Sequence, residues 1–268
     1  MSDPTISILT DFGREDTYVG LMKTVMAQIC PDVRFVDLCH EIPPQNVLSA
    51  AYLAASSAPY LQPGAVLLAV IDPGVGSGRR ALAARAGDIR VVGPDNGLFA
   101  LLFERLPPEN VVSLENSDYF LDDVSTTFHG RDIFAPVAAH IAAGVPLEEL
   151  GPDVDPDDLT GLPATDVHAT SREMSGQVIH IDRFGNLITN VREPLLADWL
   201  DGESPLIDVC GSEIPLRDTF SSVPQGQPTS YIGSTGHLEI AVNRGDASRY
   251  LGASQGTDVH VRREPRET

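Results

Sequence analysis

The stretch "AVLLAVI", residues 65–71, constrains the fold more than any other part of the chain. It is a short, unbroken apolar run with no polar alternation. That pattern marks a strand covered on both faces, as in a parallel sheet flanked by helices. Directly after it comes "DPGVGSGRR", residues 72–80, with glycines at 74, 76 and 78 and two adjacent arginines. Ligands of open α/β sheets bind outside the carboxyl ends of the strands, so chemistry is expected here. The glycines do not build a phosphate cradle. The segment contains no lysine, and neither G-x-x-x-x-G-K-[ST] nor G-x-G-x-x-G is completed.

The rest of the first half alternates strand and helix patterns. "TISILT" (5–10) and "VRFVDL" (33–38) read as strands. "YVGLMKTVMAQI" (18–29) reads as a helix with Leu21, Val25 and Ile29 on one face. Residues 46–58 form a second helix with Asn46 as N-cap, and 132–144 a third, ended by Gly144. This alternation predicts an α/β layered domain over 1–155 with a mainly parallel central sheet. Residues 151–172 are rich in Pro, Asp and Thr, and a linker is placed at 156–172. Beyond it, short strands separated by turn residues predict a smaller antiparallel β-barrel domain over 173–268.

Charge narrows the partners. The 268 residues carry 38 acidic against 18 basic side chains, a formal charge of −20, and Lys23 is the only lysine. Such a surface repels nucleic acid and anionic lipid, and it fits a solvated protein of a salty cytoplasm. No apolar run is long enough to span a membrane, and the N-terminus lacks a signal-peptide pattern. Cys30, Cys39 and Cys210 sit in no CxxC and read as reduced core thiols.

Four polar clusters fall at strand ends: "TDFGREDTYVG", "DPGVGSGRR", "GPDNGLF" and "STTFHGRD". Each has a bland reading. Asp11 can be a helix cap, Asn96-Gly97 a common turn and His129 a hydrogen-bonded structural histidine. Asp11, Asp16, Asp72 and His129 include oxygen ligands for a metal, but no HxH, HExxH or Cys/His set exists, and an arginine pair beside Asp72 opposes a cation. No metal is expected.

Taken together the clusters are far more specific. "TDFGREDTYVGLMK", "DPGVGSGRR", "PDNGL", "TTFHGRDIFAPVAAHIAAG", "IDRFGNLITN" and "STGHLEIAVNRGDAS", in that order, closely resemble the S-adenosylmethionine (SAM) hydroxide adenosyltransferase family, relatives of the fluorinase and chlorinase. The resemblance runs over nearly the whole chain. It implies an N-terminal α/β domain and a C-terminal barrel, in a homotrimer with SAM bound between neighbouring subunits. It also implies hydrolysis of SAM to adenosine and L-methionine, with SAM as substrate and no cofactor.

By position, the residues the resemblance implies for catalysis are Asp72, Arg79 and His129. A sulfonium leaves C5′ as a neutral thioether, so what is required is a positioned, activated water. In this reading His129 accepts a proton, Arg79 stabilises developing hydroxide and Asp72 orients the water or the arginine. For binding, the resemblance implies Asp11 for the ribose hydroxyls, and Asp16 and Asp182 near the methionine ammonium. It further implies Ser234 for the carboxylate, Phe184 and Asn186 for adenine, and Phe128 as an apolar wall near C5′. Without the motif, Gly185-Asn186 would read as a tight turn.

The alternative within the family is a halogenase. Fluorinase-like sequences carry Tyr at the place of Asp72, Thr at Arg79, and Tyr-Ser at His129-Gly130; Gly130 is also shared with the chlorinase and does not discriminate. They also carry a long insertion where this chain has only "AGDIR". A carboxylate at Asp72 repels halide, so water is the expected nucleophile. Two further alternatives are a SAM-binding sensor without useful turnover and a metal-dependent nucleotide hydrolase.

Overall fold

A computed structural model describes residues 3–163 and 166–263 and divides them into two compact units, 1–162 and 163–268.

The first unit is a three-layer α/β sandwich. Its strands are β1 (Thr5–Thr10), β2 (Arg34–Cys39), β3 (Val66–Val70), β4 (Ala81–Ala86), β5 (Ile89–Pro94) and β6 (Pro108–Ser113). They form a six-stranded sheet in the order β2-β1-β3-β5-β4-β6. The pairs β1·β2, β1·β3 and β3·β5 are parallel, while β4 runs antiparallel to both β5 and β6. The apolar run sits at the centre, and every residue of β3 is buried. Alternate side chains explain why it shows no polar face. Val66, Leu68 and Val70 enter one core with Met22 and Phe134, whereas Leu67, Ala69 and Ile71 enter the opposite core with Ala54 and Leu102. Full burial of each such Leu or Val contributes about 1.5–3 kcal/mol.

Helices α1 (Tyr18–Ile29), α2 (Val47–Ser57), α3 (Ala100–Arg105) and α4 (Ala135–Ala142) cover the two faces. Asn46 caps α2, its side chain accepting from the Ser49 N–H. On α1 the expected Leu21 face is not the buried one. Met22 and Met26 are completely buried, while Leu21 is 40% exposed. The third expected helix divides into a π-helical turn over Gly130–Phe134 and α4, with Gly144 in the left-handed region just beyond. Val154 and Thr160 bond back to Val111 and Asp95, so the start of the expected linker packs on the first unit.

The second unit is a nearly closed antiparallel barrel. Its strands are β7 (His168–Ala169), β8 (Glu173–Ile181), β9 (Leu187–Arg192), β10 (Pro205–Val209), β11 (Ser212–Pro215), β12 (Pro228–Ile232), β13 (His237–Val242) and β14 (Asp258–Arg263), with α5 (Glu193–Leu200) and α6 (Ala247–Leu251). The order is β11-β10-β14-β8-β9-β13-β12, with β7 added on β8. The two ends meet where Arg217 N donates to Ser230 O at 2.8 Å. Inward Leu187, Ile207, Leu238, Ile240 and Val259 fill the barrel.

Of the cysteines only Cys30 is buried; Cys39 is half-buried and Cys210 exposed. Cys210 lies at positive φ in the β10–β11 turn, a surface position that corrects its reading as a core thiol. No helix among the described residues is long and apolar enough to cross a membrane.

Candidate active site

Four segments, following β1, β2 and β3 and preceding α4, line a cavity of about 390 Å³. Asp11, Asp72, Phe128 and His129 all line it, with Phe12, Tyr18 and Gln45.

The 72–79 turn closes through Val75 N to Asp72 O (3.2 Å) and Ser77 N to Gly74 O (3.0 Å). This brings Arg79 back onto Asp72. Arg79 Nε donates to Asp72 Oδ1 at 2.8 Å and Nη2 to Oδ2 at 2.5 Å. Nη2 also lies 3.0 Å from His129 Nδ1. Their side chains are only 11% (Arg79) and 6% (Asp72) exposed. A buried forked pair of this kind holds its geometry tightly, since leaving either charge unpaired is costly. A guanidinium can only donate, so His129 Nδ1 accepts and Nε2 carries the ring proton. Burial, followed by the Arg79 charge, pushes the His129 pKa below its ordinary value. The imidazole is therefore neutral at pH 7.

Arg79 does not line the cavity; Asp72 and His129 do. The arginine stands behind them and fixes both. Arg80 turns elsewhere, 3.4 Å from Asp95. "GPDNG" is likewise structural: Asp95 accepts from Thr160 N, and Asn96 Nδ2 donates to Ile71 O, bracing the residue before Asp72.

At the end of the neighbouring strand β1, Asp11 Oδ2 accepts from Gln45 N at 2.7 Å. Burial raises the Asp11 pKa, and this N–H bond counters it. Gln45 adopts a φ of +65°, a conformation that a non-glycine residue resists. Phe128 packs edge to face against both Phe12 and Tyr18, its centroid 5.1 Å from that of Tyr18, while the Phe12 and Tyr18 rings are tilted to each other at 48°. Phe12, Tyr18 and Gln45 were not singled out from sequence; "DFGREDTY" contains two of them, but nothing there pairs them with Phe128. Asp16 is exposed before α1 and outside the cavity lining.

The remaining expected residues lie in the second unit, in two turns. Asp182 organises the β8–β9 turn: Oδ1 accepts from Phe184 N and Asn186 N, and Oδ2 from Asn186 Nδ2 at 2.8 Å. The turn reading of Gly185-Asn186 thus describes the local geometry. Gly185 is at φ +83°, and a Cβ there would lie 2.2 Å from the Asp246 carboxylate. Phe184 projects from this turn, 76% exposed. Ser234 is exposed in the β12–β13 turn. Sequence reasoning missed Glu239, which lies opposite Tyr231 across β12 and β13. Burial and then the Asp182 charge raise its pKa against a Tyr231 hydrogen bond. Its signal was a lone acid on the outward face of "HLEIAV". Among the described residues no cluster of His, Cys, Asp and Glu fits a metal ion.

Residues 6–151 match the SAM hydroxide adenosyltransferase N-terminal domain, and 176–260 its C-terminal domain. The chain is 44% identical to a Thermus thermophilus protein named (R)-S-adenosyl-L-methionine hydrolase, over 96% of this chain and 98% of that one. An Actinopolyspora mzabensis fluorinase is 27% identical over 98% of both. A crystal structure of an uncharacterized conserved protein from Thermotoga maritima superposes with a TM-score of 0.89 at 34% identity, covering 96% of this chain and all of that one. Motif order, cavity and full-length similarity agree: the chain belongs to the SAM hydroxide adenosyltransferase family.

Proposed function

We propose that the protein hydrolyses S-adenosyl-L-methionine to adenosine and L-methionine. The observation that carries this reading is the Asp72–Arg79–His129 cluster beside a cavity that Asp72, His129 and Asp11 line together. Asp11 receives the ribose hydroxyls, and Phe128 with Tyr18 walls the C5′ region. A water beside Asp72 donates one hydrogen to the carboxylate and accepts from His129 Nε2–H. This leaves a lone pair aimed at C5′. As the C5′–O bond forms, the C5′–S pair passes to sulfur, and methionine leaves as a neutral thioether. The new oxygen is then a strongly acidic oxonium, so a carboxylate suffices as the base and Asp72 takes its proton.

This division of labour differs from the sequence-based one. The acceptor nitrogen of His129 is occupied by Arg79, which makes the histidine a donor and the arginine a clamp. Asp16, Asp182 and Ser234 serve the methionine end, and Phe184 and Asn186 the adenine. The family resemblance implies a homotrimer, and in that assembly a neighbouring subunit would cover the exposed Phe184 ring. Light scattering tests that assembly. The acidic surface supports a cytoplasmic, salt-adapted protein.

The test is incubation of the enzyme with SAM, with and without chloride, at low and molar salt, followed by chromatography. Adenosine and methionine independent of chloride are expected. 5′-Chloro-5′-deoxyadenosine would instead make the protein a halogenase, and no product a binding protein. Because the Thermus thermophilus relative is named for the (R) sulfonium, faster consumption of that epimer is expected from a mixture of both.

A pH profile gives a second prediction. Protonating His129 puts a hydrogen on Nδ1 against Arg79 Nη2 and breaks the clamp. Its lowered pKa therefore places the acid limb of kcat/KM below about 6.5. Activity is full above that limb and falls as pH drops through it. A limb at or above the ordinary imidazole value would contradict the arrangement.

A further inference from the structure

The proposed mechanism leaves unused a polar chain that runs from the buried Thr10, next to Asp11 in sequence, out to the partly exposed Asp37 and Lys23. Thr10 is completely buried and His40 is 3% exposed. Thr10 Oγ1 lies 2.8 Å from His40 Nδ1, and His40 Nε2 lies 3.0 Å from Asp37 Oδ1. Asp37 Oδ2 in turn accepts from Lys23 Nζ at 2.7 Å. A carboxylate facing a lysine only accepts, so Nε2 carries the ring proton and Nδ1 accepts from the Thr10 hydroxyl. The hydroxyl oxygen then faces Phe12 N–H at 3.4 Å. The His40 carbonyl also accepts from Gly13 N at 2.8 Å. His40 thus ties the end of β2 to both sides of the turn that carries Asp11, by its imidazole to Thr10 and by its backbone carbonyl to Gly13.

Thr10 is too deeply buried to act as a nucleophile, so this triad does no covalent chemistry. An apolar pair would hold two adjacent strands without desolvating polar groups. What the polar chain adds is direction, because a hydrogen bond fixes angle as well as distance. The fixed element is the loop pair formed by Asp11 and by Gln45, whose unfavourable φ is held by the Asp11 carboxylate.

We propose that His40 is a positioning residue for substrate recognition: through Thr10 it sets the Asp11 carboxylate and the 43–46 turn in the geometry that receives the ribose hydroxyls. The inference rests on the SAM-hydrolase reading. Its test is Thr10→Val, which keeps the shape and removes the hydroxyl, with Thr10→Ser as the restoring variant. Adenosine and 2′-deoxyadenosine binding are measured by calorimetry and SAM turnover by steady-state kinetics. Thr10→Val is expected to raise KM for SAM about 10-fold, with kcat within about threefold. It should also narrow the preference for adenosine over 2′-deoxyadenosine by about 10-fold, a change that a general loosening of the fold would not produce. Thr10→Ser should restore both. His40→Asn, which keeps an amide near the Nδ1 position, carries the same comparison against His40→Leu if Thr10→Val does not fold. Equal weakening of both nucleosides, or a fall in kcat alone, would overturn the proposal while the hydrolase reading stands. Failure of the wild-type protein to hydrolyse SAM would instead overturn the hydrolase reading.

Discussion

An Arg79→Lys enzyme loses about 10²–10³-fold in kcat for SAM although the charge is kept, with KM changed only a few-fold. The reason is geometric. Nε and Nη2 hold the two oxygens of Asp72 at 2.8 and 2.5 Å, and Nη2 reaches His129 Nδ1 at 3.0 Å. A planar guanidinium satisfies all three contacts at once. A lysine ammonium is a point donor on a flexible stem and holds one carboxylate oxygen at most. Asp72 and His129 would each retain their own chemistry but lose their fixed relation to the water between them. Small displacements of reacting groups are expensive in rate. Asp72→Ala should be at least as damaging in kcat, and it should also lower stability, because it leaves a buried guanidinium unpaired at about 3–5 kcal/mol. Steady-state kinetics and thermal melts on both variants separate the two effects. If Arg79→Lys retains activity within about threefold, the forked clamp has no catalytic role.

Parts of this arrangement were readable from sequence, and the physical reasons differ by element. The β3 run was legible because both its faces meet helices, so burial leaves no polar position in it. The face of α1 was not. Val19, Leu21, Met22, Val25, Met26 and Ile29 all fall on one half of that helix, so the pattern marks a broad apolar face but not its centre; packing centres it on Met22 and Met26 and leaves Leu21 at the exposed edge. The π-helical turn at Gly130–Phe134 has no periodic signal of its own. It is held by Asp132, whose carboxylate accepts from Ser125 N and Arg131 Nε. Strand β12, "PTSYI", was invisible because proline, threonine and serine read as a turn, yet it brings the barrel ends together. For the site, motif order brought Asp72, Arg79 and His129 into view. Which of them face the cavity depends on side-chain direction. The same limit hid His40, the last residue of "RFVDLCH", whose partner Thr10 lies thirty positions away.

Gly76→Ala is the substitution expected to damage both stability and catalysis without removing a polar side chain. Gly76 sits at φ +75°, where an alanine pays roughly 1–2 kcal/mol of backbone strain. Its added Cβ would also stand 2.4 Å from the carbonyl oxygen of Thr126. That oxygen belongs to backbone and cannot swing aside, so one of the two loops must move. The loop ahead carries Arg79, and the loop behind carries Phe128 and His129. Any movement therefore opens the contact between Arg79 Nη2 and His129 Nδ1. The expected loss is about 2–4 kcal/mol in stability and about 10²-fold in kcat. Gly78, two residues on, is the internal control. It is not at positive φ, and a Cβ there meets nothing within 4 Å. Gly78→Ala should leave melting temperature and turnover near wild type. Equal behaviour of the two variants would mean that the approach of these loops does not set the clamp. A selective loss at Gly76 would show that the glycines after β3 serve loop packing: one of them lets two distant segments come close enough for an arginine to hold an aspartate and a histidine together.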